Sequence, residues 1–216
     1  MKRNFIVGTL LGLLAYQANA SQHQVFTHYE FDQSKIDHHH MEQEFPYLDA
    51  NIHTRNFSRR SDQAKLETGV EILKQVMNSK RFRELVYGFK WRGERTFNDN
   101  NGLSNEEIYA HLMTGAEVLM PDQDHTMNFD LTLYRSWNPF SKVKGYTYPD
   151  TMRIWIHKKY YRRNSWTPTD VAANLAHEWV HKMGFGHDFN YNADRPYSVP
   201  YGIGGIVIKV AEEMGY

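Results

Sequence analysis

Between Asn174 and Phe189 the chain reads NLAHEWVHKMGFGHDF, a run whose residue types and offsets suit metal chemistry. His177 and His181 are four residues apart. On an α-helix that spacing leaves them about 40° apart around the axis and one turn apart along it, so both imidazoles can grip one ion. Glu178 follows the first histidine, within reach of a metal-activated water without being a ligand itself. Gly184 stands where a helix end favours a left-handed residue, so the chain can turn back sharply. His187, outside the helix, can then approach the same ion. Three neutral imidazoles would leave a fourth position open, which is a catalytic zinc site rather than a closed structural one.

The spacing is specific. At this chain's composition His-Glu-x-x-His arises by chance with probability of about 0.04, and requiring Gly184 and His187 lowers that to roughly 1 in 10,000. Surface histidines on an amphipathic helix are the bland alternative. Other histidines lack such spacing: the His38–His40 tract reads as a solvated loop, and His111, His125 and His157 read as surface or satisfied core residues.

A helix must carry the motif, and its start is legible. Thr167 is a natural N-cap, Pro168 suits the first helical position, and Asp170 favours the positive end of the helix dipole. Upstream, Asp62 to Phe82 reads as one helix, with Leu66, Val70, Leu73 and Met77 at helical spacing. Ser104 and Glu107 form a capping box for another, followed by apolar Ile108, Leu112 and Val118. Phe97 to Gly102 is a turn cluster that fails the calcium-loop pattern, because Phe97 stands where the first aspartate should be. Two alternating runs, MNFDLTLYRS and TMRIWIHKKYY, read as strands, and Asn138 to Asp150 between them as a loop or wide connection.

The 216 residues suit one domain of ordinary size with an N-terminal extension. Lys plus Arg equals Asp plus Glu at 25 each, so no net charge steers the chain to nucleic acid or anionic lipid. Residues 1–20 have a basic start, an apolar run from Phe5 to Ala15 and an Ala18-Asn19-Ala20 close. They read as a signal peptide cleaved after Ala20, giving a secreted or periplasmic protein with no membrane anchor. With no cysteine, stability rests on the core and a metal rather than on disulfides. Residues 21–60 read as an arm, a short pro-segment or an edge strand near Val25–Phe31, and 61–216 as the functional domain.

HEWVHKMGFGHD resembles the His-Glu-x-x-His-x-x-Gly-x-x-His-Asp consensus of the metzincin zinc endopeptidases, over twelve residues. The resemblance implies zinc held by His177, His181 and His187, with Glu178 as general base. It also implies an α+β fold: a twisted N-terminal sheet backed by helices, the zinc-binding helix, and a small C-terminal lobe after Gly184. The strand from Met127 to Ser136 would lie near the cleft. Metzincins carry a methionine turn beneath the zinc. Met214-Gly215-Tyr216 has its spacing, but Ser198-Val199-Pro200-Tyr201 followed by a helix from about Gly202 fits better, with Val199 replacing the methionine and Tyr201 matching the family's tyrosine. A phenol there could bind the metal or donate to an oxyanion. Asp188 would make a structural bond. The expected activity is hydrolysis of protein or peptide substrates. Two alternatives stand beside it: a gluzincin arrangement with Glu212 or Glu213 as third ligand, and a non-catalytic secreted zinc-binding protein.

Overall fold

The computed structural model describes residues 29–35, 45–138 and 140–216. Residues 1–20, read above as a signal peptide, and the His38–His40 tract lie outside the described residues. The fold is α+β. In chain order come β1 (Glu30–Phe31), β2 (Asp49–Arg55), α1 (Arg60–Met77), α2 (Lys80–Gly88), β3 (Phe89–Lys90) and α3 (Asn105–Thr114). There follow β4 (Thr126–Tyr134), β5 (Gly145–Thr147), β6 (Arg153–His157), the short α4 (Lys158–Tyr161), α5 (Pro168–Lys182) and α6 (Val199–Glu213).

Four strands form a mixed sheet in the order β2-β4-β6-β5. The first three run parallel, and β5 is the antiparallel edge. Along β4 Met127, Phe129, Leu131 and Leu133 are buried and their neighbours are half-exposed. This period of two turns one sheet face to the helices and the other to solvent. Ile154 and Ile156 continue that apolar face on β6.

Helix α5 is buried along nearly its whole length and packs against both α1 and α6. Its capping box is formed as the sequence predicts: the Thr167 hydroxyl accepts from the Asp170 N–H at 3.2 Å, and the Asp170 carboxylate accepts from the Thr167 N–H at 2.8 Å. The box at Ser104 and Glu107 is likewise present. Where α6 crosses α5, Gly204 has no side chain to hold the helices apart: a Cβ there would lie 3.1 Å from the Ala173 carbonyl, one turn before His177.

Three differences from the sequence reading concern positions that frame the site. The run Asp62–Phe82 is not one helix. The Asn78 side chain accepts from the Leu48 N–H at 2.7 Å and donates to the Leu48 carbonyl at 2.9 Å, and the Ser79 hydroxyl caps α2 by accepting from the Phe82 N–H. Such side-chain bonds compete with continuation of a helix. The segment 21–60 includes β2, which pairs in register with β4 from Asp49–Thr126 to Arg55–Thr132; with only Ala50 and Ile52 apolar, its alternation is faint. Strand β5 lies in the stretch expected to be loop. Consequently the strand over Met127–Ser136, β4, is internal to the sheet, and β5 forms the edge beside α5.

Candidate metal centre

His177 and His181 point from one face of α5, and their ring centres are 5.0 Å apart. Past Lys182 the helix stops, Gly184 takes φ of 92°, and the chain folds back. That turn brings the His187 ring to 5.4 Å from His177 and 4.9 Å from His181. One nitrogen from each ring lies within 4.8 Å of the others, and the three could hold a metal ion. A tetrahedral zinc needs nitrogens about 3.3 Å apart, a separation inside that limit.

The rings are prepared as ligands. Nδ1–H of His181 donates to the Phe185 carbonyl at 2.8 Å, and Nδ1–H of His187 to the Asp188 carbonyl at 3.0 Å. A proton fixed on Nδ1 leaves the Nε2 lone pair free. On buried His177, Nδ1 makes no hydrogen bond with ordinary geometry. Burial, reinforced by His181, His187 and Arg195, holds its pKa well below the usual histidine value, against a weak opposing effect of the Pro200 backbone. Burial also lowers His181 and His187 to about 4 each. All three rings are neutral at neutral pH, and no proton has to leave before a cation binds.

Glu178 is buried beside this group, and burial raises its carboxyl to about 8 despite the Lys182 charge and a hydrogen bond from Asn174. A cation on the imidazoles would favour its carboxylate form. Strand β5 runs close to it: a Cβ on Gly145 would lie 3.1 Å from Glu178 Oε1 and 3.0 Å from Asn174 Oδ1.

Tyr201 stands in the first turn of α6, which begins at Val199 rather than near Gly202. Its ring centre is 4.5 Å from that of His177 and 4.9 Å from that of His187. The sequence-predicted residues His177, Glu178, His181, His187 and Tyr201 are therefore brought together. Glu212 and Glu213 are not. Both are exposed at the far end of α6, with Glu213 Oε2 bonded to Arg81 Nε at 2.7 Å. Asp188 is exposed and accepts from the Asn192 amide. His111 and His125 meet the carbonyls of Met183 and Met113. His157 is buried, its Nδ1 accepting from the Lys159 N–H at 3.0 Å while Nε2 has no hydrogen-bond partner among the described residues.

Spacing alone did not point to several neighbours. Arg195 lies 5.1 Å from the Tyr201 ring centre and donates from Nη1 to the Phe189 carbonyl at 3.1 Å, joining the His187 loop to α6. Fully buried Glu117 accepts from Trp179 Nε1 at 2.7 Å and from the Asn128 N–H at 2.8 Å, tying α5 to β4. Asn174 and Lys182 flank Glu178 at i−4 and i+4, a stripe that helical periodicity could have disclosed. No protein-family model matches the chain, and comparison with curated proteins and with solved structures gives no match.

Proposed function

We propose that the chain is a zinc-dependent endopeptidase of the metzincin type. The observation that carries this reading is the convergence of His177, His181 and His187 next to the buried Glu178 carboxyl group. Zinc held by these rings would supply Lewis acidity, polarising a peptide carbonyl and acidifying water. Glu178 accepts the proton of the attacking water and can return it to the leaving amine. Tyr201 donates its O–H toward the carbonyl oxygen as negative charge develops there. The outer edge of β5 has no strand partner among the described residues, so its backbone can pair with an extended peptide beside Glu178. Peptides or proteins are the substrates. Neutral overall composition gives no support to nucleic acid as a partner.

Among the described residues no helix is long and apolar enough to cross a membrane. The signal-peptide pattern of residues 1–20 supports release into a periplasm or medium, and N-terminal sequencing of the exported protein tests it by looking for Ser21.

A non-catalytic zinc-binding protein is the competing reading. Glu178 speaks against it, because a buried carboxylate is costly and a purely structural three-histidine site has no use for one. Digestion of casein by the mature protein, with and without chelator, combined with metal analysis, separates the readings. Cleavage that disappears on chelation and returns with zinc is the expected result. A zinc-loaded protein that cuts no member of a broad peptide library would leave only the binding role.

A further inference from the structure

Lys182 is the last residue of α5, one position after His181 and one turn after Glu178. Its exposure is only 3 %. A buried ammonium is expensive unless its protons are taken up, and among the described residues no carboxylate lies within ion-pair distance of it. Its acceptors are instead two backbone carbonyls of the turn after β5: Tyr148, at 2.9 Å, and Thr151, closer still. The same turn is closed by the Thr151 N–H bonding to the Tyr148 carbonyl at 3.4 Å.

The segment from Gly145 to Thr151 is thus seated on α5 at two heights. Gly145 abuts Asn174 and Glu178, and the turn at 148–151 is held one helical turn further on by Lys182. On its other side β5 has three paired positions on β6, Gly145–Ile156 to Thr147–Ile154, extended by the His157 N–H bond to the Lys144 carbonyl and the Thr147 hydroxyl bond to the Arg153 carbonyl, each at 2.7 Å. Three pairs are a short hold for an edge strand that must present its backbone at a fixed distance from a reacting group.

We propose that Lys182 is a positioning residue that clamps the β5 turn to α5, fixing the free strand edge at the height of Glu178 so that an extended peptide docks in one register. It acts through the strand and touches neither metal nor substrate. The inference rests on the peptidase reading for its substrate, but the clamp itself is measurable without catalysis.

The test is hydrogen–deuterium exchange of residues 144–151 in the full mature protein, combined with peptide-cleavage kinetics. Lys182→Met keeps the stem and removes the donors; Lys182→Gln keeps a shorter donor and serves if the methionine variant folds poorly. Exchange in 144–151 rises about tenfold or more, while α5 itself stays protected. With the best-cleaved library peptide, KM rises about tenfold and kcat changes less, since uniform binding is lost rather than transition-state contact. Lys182→Gln falls between the two. Unchanged exchange in 144–151 overturns the clamp whatever the activity. Increased exchange with a fall in kcat alone overturns the docking role and makes Lys182 an electrostatic partner of Glu178. If the wild-type protein cleaves no peptide, the peptidase reading and the docking role fall together, and the exchange result still decides the clamp.

Discussion

Gly145 and Glu178 are in contact across two elements 33 positions apart in sequence: a Cβ built on the glycine would sit 3.1 Å from the carboxylate oxygen Oε1. The edge strand can approach the proposed base this closely only because it carries no side chain there. Gly145→Val is therefore expected to push either strand or carboxylate aside and to lower kcat/KM by about 10²-fold, in line with the cost of misplacing a reacting group by about 1 Å. Zinc content should be kept. A valine variant with wild-type kinetics would show that the contact has slack.

Replacing His187 tests the third ligand. His187→Ala should lose most bound zinc, because a three-ligand site cannot drop one and stay tight. Equilibrium dialysis against a zinc buffer reads the change. Full stoichiometry at unaltered affinity would reject the three-histidine site.

Glu178→Ala should bind zinc and fold as the wild type yet lose hydrolysis by about 10²–10⁴, the usual weight of a general base. Zinc analysis and single-turnover cleavage on the same sample check both halves. Retained peptidase activity in the zinc-loaded variant would remove Glu178 from the mechanism.

Tyr201→Phe isolates the hydroxyl, since the ring keeps its contacts with His177 and His187. Turnover is expected to fall by roughly 10²–10³, as when one oxyanion donor is deleted, with zinc content and thermal midpoint unchanged. Equal turnover would assign Tyr201 to packing.

Glu117 serves stability rather than chemistry. Glu117→Ala strands the buried Trp179 indole N–H and the Asn128 N–H, which now bond to its carboxylate, and should cost about 3 kcal/mol or more. Urea denaturation of the metal-free protein measures it. Loss of less than about 1 kcal/mol would mean that water replaces the carboxylate.

The candidate site was legible wherever its parts follow one another along a helix. His177, Glu178 and His181 share α5, whose start at Thr167 and whose end before Gly184 are dictated by local backbone requirements: a capping hydroxyl, a proline at the first position, a left-handed turn. Periodicity of two likewise exposed β4 and β6. These features depend on neighbours within a few residues, and a linear sequence displays them.

What lay beyond reach was decided across the chain. β5 is three residues long and becomes a strand only because β6 offers it partners, so no alternation could announce it. The division of α1 from α2 depends on Leu48, 30 positions before Asn78. That β4 is internal, that Glu212 and Glu213 point away from the histidines, that Lys182 and Arg195 meet their acceptors and that Glu117 meets its donors all follow from packing between distant segments. Sequence alone determined the candidate ligand types, their spacing and the helix that carries them; tertiary structure decided which strand edge faces Glu178. Local bonds are written in adjacent residues, whereas strand pairing and buried polar contacts exist only once the sheet and the helices have closed on one another.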